Sequence, residues 1–159
     1  MLQNHDANTI TTEAELRTRF SETMPISLQK AHNVLNHHDK EFIARSPFLV
    51  LGTSDGEGRS DVSPRGDPPG FVKVIDDQTI AIPDRPGNNR LDSLSNIIAY
   101  PAVGLIFMVP GFDDTLRING KATLTTAPEL LETMAVRDRV PTLAIRVRVE
   151  EVFLHCAKA

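Results

Sequence analysis

The sequence predicts an α+β barrel, not a doubly wound parallel sheet. Six or seven short stretches are apolar or alternate with period two, and Gly, Pro and Asp turns bound them. The few helical patterns between them do not alternate with the strands, as βαβ units would require. A chain of 159 residues is the size of one ordinary domain, and it shows no internal repeat or low-complexity segment.

Residues 1–46 read as a helical N-terminal arm packing on a barrel domain of residues 47–159. Thr11 or Thr12 can cap a short helix, with Glu13 and Glu15 in the first turn where the helix dipole favours acids. A second helix is expected after Ser27, with Leu28, Ala31, Val34 and Leu35 on one face. From Phe48 the period changes. FLVLGTS is a strand closed by the turn DGEG, and RSDVSPRGD is its hairpin partner. Pro64 has no N–H for a ladder, which confines its strand to an edge or a bulge. FVKVID and TIAIP form a second hairpin about Asp76-Asp77-Gln78.

A helix over about Arg90 to Ala99 stops before Pro101. AVGLIFMVPG is the most apolar strand and is expected at the sheet centre. In TLRINGKATLT, Leu116 and Ile118 face one way, Arg117 and Asn119 the other. Pro128 opens a helix that is expected to reach Val136. The last strand, PTLAIRVRVEEVFLHC, puts Leu143, Ile145, Val147 and Val149 on one face and Arg146 and Arg148 on the other. The alternation slips at Glu150-Glu151, which predicts a β-bulge.

Composition narrows the function. Hydrophobic residues make up 40% of the chain and charged ones 24%, ordinary globular usage. The net charge of −4 argues against a general nucleic-acid binder. No apolar run approaches the ~18–20 residues that span a bilayer, and MLQNHDANTITTEAE lacks a signal-peptide pattern. A cytoplasmic location is the expectation. The one cysteine, Cys156, excludes an intrachain disulfide, and His155 beside it would point to the opposite face of a strand. His32, His37, His38 and Asp39 suggest metal ligands, but His32 and His37 are five residues apart and diverge on a helix; a solvated helix end is the better reading. Ser63 has no histidine brought to it by the sequence, and no Gly-x-Ser-x-Gly or phosphate-loop lysine motif occurs.

The segment PDRPGNNRLDSLSN, Pro83 to Asn96, is the most informative. A strand ends, a turn rich in Pro, Gly and Asn carries Arg85 and Arg90, and a helix begins near Ser93. Guanidinium groups grip phosphate oxygens in pairs, and a helix start offers free N–H groups. Arg65 in SPRGDPPG lies in a similarly stiffened turn, and Arg117 projects opposite Leu116 and Ile118. Together these arginines point to a shared anionic ligand.

With RSPFLVLGTSDGEGRSDVSPRGDPPGFV, TIAIPDRPGNNRLDSLSNI, PAVGLIFMVPGFDDTLRINGKATL and VEEVFLHCAKA, the chain resembles the pyridoxamine 5′-phosphate oxidase-like flavin-binding split barrels, in their branch of FMN-dependent enzymes. The resemblance covers most of the chain from Ala44 onward. It implies a six-stranded antiparallel split β-barrel with flanking helices, forming a homodimer with two FMN sites along the interface. It further implies an oxidoreductase acting on an unidentified small molecule, or alternatively a flavin-binding, storage or sensing protein without robust turnover. Carried over residue by residue, Arg65 would face the flavin, while Arg85, Asn88 and Arg90 would hold the phosphate and ribityl chain. Ser93 would add a hydrogen bond at the helix start, and Ser63 and Pro83 would complete the cofactor contacts. Arg117 would approach from its own or the other subunit. Related split barrels also accept deazaflavin or haem. Chains of this branch continue past HCAKA with a basic tail, whereas this one stops at Ala159, so tail contacts and vitamin B6 oxidase activity proper are not expected.

Overall fold

The computed structural model describes residues 8–22 and 31–156. Seven strands form one wholly antiparallel sheet: β1 (Phe48–Ser54), β2 (Ser60–Gly66), β3 (Lys73–Asp76), β4 (Thr79–Pro83), β5 (Ala102–Met108), β6 (Asp114–Thr125) and β7 (Ala144–Cys156). Their order is β2-β1-β5-β6-β7-β4-β3, one strand more than the six expected. Among the described residues the helices are α1 (Glu13–Arg17), α2 (His37–Arg45), α3 (Asp92–Ala99) and α4 (Pro128–Glu132). No helix among them is long and apolar enough to cross a membrane.

The period-two pattern builds the core directly. Leu49, Phe107 and Leu116 stand opposite one another across β1, β5 and β6, as do Leu51, Leu105 and Ile118, and all six are buried. Ile145 and Val147 of β7 and Ile80 and Ile82 of β4 extend this inner layer. At roughly 1.5–3 kcal/mol for each large apolar side chain, this layer is the main source of stability. As Pro64 requires, β2 is an edge strand; β5 is interior, as its apolar run requires.

The β7 bulge falls where the alternation slips. Asn119 pairs with Glu151 and Gly120 with Val149, so Glu150 is the extra residue. A Cβ on Gly120 would collide with the Arg148 carbonyl oxygen, so only glycine fits here.

The borders of the sheet are closed by side chains. Arg65 of β2 reaches Asp84, just past β4, with Nη1–Oδ1 at 2.8 Å. Asp67, just past β2, accepts from Arg85 Nε at 2.6 Å. These two crossed ion pairs join edge strand β2 to the exit of β4, one strand in from the other edge, without ladder hydrogen bonds, which leaves the barrel split along that seam.

Helices cover the open surfaces. On α2, Phe42 and Ile43 enter the main core together with Leu35. Leu131 and Met134, on and just after α4, lie on Ala81 and Ala144, so β4 is buried on both faces. Thr12 caps α1, its Oγ1 accepting from Glu15 N at 3.2 Å.

The expected second helix is not found in its described part, and Ser27 and Leu28 lie outside the described residues. His32 instead pairs with Val152 as an antiparallel bridge, and helix begins only at His37. Asn36 sets that start: its side chain accepts from His38 N and Asp39 N, while Asp39 accepts from Asn36 N. The local capping box outcompetes the apolar periodicity. His37 and His38 are exposed, as a solvated helix end requires, whereas Asp39 is buried and holds His32 Nε2 at 2.7 Å. No metal-binding cluster occurs among the described residues.

Candidate functional site

Several of the predicted site residues line the seam. On β2, Asp61, Ser63 and Arg65 share one face, opposite Thr53, Leu51 and Leu49 of β1, and so point toward the barrel interior at its open edge. Four steps along the strand carry this row over about 13 Å at ~3.3 Å per residue. At one end, Asp61 Oδ2 accepts from Ser93 Oγ at 2.8 Å in the first turn of α3. At the other, Arg65 meets Asp84. Arg65 Nε is buried with no hydrogen-bond partner, the sole side-chain polar atom in that condition among the described residues.

The connection from β4 to α3 is strained. Pro83 is buried and pairs with Ala144, and Asp84 N donates to Leu143 O at 3.0 Å, so the strand's exit is fixed. Asn89 and Leu91 then adopt left-handed backbone with φ of 58° and 61°. Leucine has no local compensation for that conformation, which costs of order 1–2 kcal/mol. Leu91 is also the N-cap of α3 and makes no side-chain cap bond. The helix therefore presents an uncapped N-terminus, with its positive dipole end, beside the polar row of β2.

The predicted residues are thus partly united. Ser63, Arg65, Pro83, Arg85 and Ser93 belong to the seam and the α3 start. Asn88 and Arg90 are exposed: Asn88 Oδ1 accepts from Arg90 N at 3.1 Å, and Arg90 Nε pairs with Asp92 at 2.8 Å. Arg117 stands apart, on the outer face of β6, with Cζ 4.9 Å from the Phe153 ring centroid. Within one protomer the sheet separates it from Arg65.

The pairing with carboxylates was not foreseen. Arg65, Arg85, Arg90 and Ser93 are each held by an aspartate: Asp84, Asp67, Asp92 and Asp61 respectively. All four aspartates lie within the quoted motifs, and the alternation of Arg and Asp there was the available signal. These arginines and Ser93 are therefore already organised around carboxylate oxygens. Beside Arg85 lies a cleft of about 150 Å³ lined by Asp67, Phe71, Lys73, Thr133 and Met134 among others. That is below the ~300–1,000 Å³ of ordinary cofactor sites.

The family model for pyridoxamine 5′-phosphate oxidase matches residues 35–156, which spans the sheet, the seam and α3. The chain belongs to the pyridoxamine 5′-phosphate oxidase family. Solved structures of similar fold include HupZ of Group A Streptococcus, 19% identical, with a TM-score of 0.62 over 79% of this chain and 97% of that one. An FMN-binding protein from Syntrophomonas wolfei is 13% identical, with a TM-score of 0.55 over 74% and 88%. General Stress Protein 26 from Bacillus anthracis is 14% identical, with a TM-score of 0.55 over 72% and 88%. At these identities the likeness is one of fold. No curated protein matches the chain. This pyridoxamine 5′-phosphate oxidase relative has the antiparallel split-barrel fold that its sequence implied.

Proposed function

We propose that this family member binds FMN and acts in the cytoplasm as an oxidoreductase on a small molecule, working as a homodimer with its two flavin sites along the subunit interface. The observation that carries this reading is the uncapped start of α3 at left-handed Leu91, joined through Ser93 and Asp61 to a polar row ending at the buried, unpartnered Nε of Arg65. Such a row fits an elongated, phosphorylated ligand. A dianionic phosphate suits the helix start and the terminal N–H groups of Arg85 and Arg90. When bound, FMN supplies the redox chemistry itself. Arg65 would then offer positive charge to the ring as it is reduced, and its pairing with Asp84 would hold that charge in place.

A homodimer is supported by the exposed outer face of the sheet. The outer face of β2, β1, β5, β6 and β7 carries Pro64, Val50, Ile106, Arg117 and Phe153 in one cross-strand row, flanked by Val62 at 70% exposure. A second copy on this face would cover the apolar row and bring its Arg117 toward the first protomer's site.

The phosphate assignment is tested by titrating FMN into Arg90→Ala and Lys40→Ala. Lys40 pairs with Asp77 away from the seam. Arg90→Ala should bind FMN about tenfold more weakly than Lys40→Ala; equal affinities would contradict the assignment. Bleaching of the bound flavin by NADH or NADPH within seconds, with recovery on adding oxygen or a quinone, supports an oxidoreductase. Failure of every reductant favours storage or sensing.

A further inference from the structure

We infer that Asp67 and Asp84 are positioning residues that hold Arg85 and Arg65 in their cofactor-binding orientation, an inference that rests on the FMN reading above. The two pairs are reciprocal. β2 supplies Arg65 and the turn just past its end supplies Asp67; the exit of β4 supplies Asp84 and Arg85. Each border of the seam thus gives one cation and one anion, at 2.8 and 2.6 Å, and all four side chains are between 14% and 26% exposed. That burial distinguishes them from Arg90–Asp92, whose partners are 73% and 46% exposed.

Partial burial gives these pairs directional force. An arginine in solvent samples many rotamers and loses that freedom on binding a ligand. Here each carboxylate takes one N–H, Nη1 of Arg65 or Nε of Arg85, and so removes the entropy before any ligand arrives. It leaves the remaining N–H groups free, including the unpartnered Nε of Arg65. The backbone around the pairs is equally fixed: Asp67 N donates to Pro47 O at 3.1 Å and Asp84 N to Leu143 O at 3.0 Å.

Two effects then act with opposite signs. By Coulomb's law alone, removing a carboxylate near a phosphate-binding arginine tightens FMN binding. If the carboxylate orients that arginine, removing it weakens binding. The sign of the change decides between them.

The test titrates FMN and riboflavin, which lacks the phosphate, into wild-type protein and into Asp67→Asn, Asp84→Asn and Asp92→Asn. Asp67→Asn should weaken FMN about tenfold and leave riboflavin unchanged, because Arg85 serves the phosphate end. Asp84→Asn should weaken both ligands alike, because Arg65 serves the ring. Asp92→Asn, whose pair with Arg90 is too exposed to orient it, removes a negative charge beside the helix start and should bind FMN more tightly. Asp67→Glu and Asp84→Glu should recover part of the loss, and circular dichroism of each variant verifies its fold. Unchanged or tighter FMN binding by both seam variants overturns the inference and leaves the FMN reading intact. Equal loss of both ligands in Asp67→Asn also overturns it, because that marks general damage to the seam. Absence of FMN binding by the wild type overturns the FMN reading and the inference with it.

Discussion

Leu91 concentrates the local cost of the site in one residue. Its left-handed backbone would suit glycine, and its side chain is 52% exposed, so little packing is lost by removing it. Leu91→Gly should raise stability by up to ~1 kcal/mol in urea denaturation, relief of strain outweighing the added freedom of the unfolded chain. A clear loss of stability would show that Leu91 makes a contribution its exposure does not suggest. Sequence marked this stretch as a turn through Pro86, Gly87 and the two asparagines, and Asn89 is indeed left-handed. Nothing in the pattern singles out Leu91, because leucine is among the residues least suited to that conformation, and the helix was expected from about Arg90 when it starts at Asp92.

The elements were the most legible part of the fold. β1 and β4 occupy the expected residues, and the β7 bulge falls at Glu150 because the buried set shifts from Val149 to Val152 there. Where one face is buried, alternation specifies register strongly. The short helices were less legible: α4 ends at Glu132, not Val136, and residues 31–36 were misread as helix. Asn36→Ala should cost about 1 kcal/mol in chemical denaturation by deleting the cap of α2; no change would mean that α2 is held by Phe42 and Ile43 alone. The β1–β2 turn has its own dependence on pH. Backbone N–H groups of Glu57 and Arg59 hold the Asp55 carboxyl below the usual carboxylate range. Its contribution is complete above the ordinary value near 3.8 and is lost as pH falls through the lowered one.

Across the whole molecule, the seam and the outer sheet face divide the paired residues from those that the proposed homodimer would cover. Arginine-rich motifs announced an anion site, but the sequence could not show that aspartates from the same motifs would pair across the barrel, since Arg65 and Asp84 meet only after the sheet curls. Nor could it place Arg117 on the opposite face of the sheet from Arg65. In the proposed homodimer, a second copy of the chain would resolve that separation. Sedimentation should show a dimer, and Ile106→Asp, at the middle of the exposed row, should shift it toward monomer and weaken FMN in parallel. A monomeric Ile106→Asp that binds FMN like wild type would place the site within one protomer.

The most direct measurement is the absorption spectrum and ligand mass of the purified protein, followed by titration of the stripped protein with FMN. A flavin spectrum, release of FMN on denaturation and saturable quenching of FMN fluorescence at one site per chain are the results predicted here. Colourless protein that leaves FMN fluorescence unchanged, or one that releases a deazaflavin or haem, would contradict the FMN assignment.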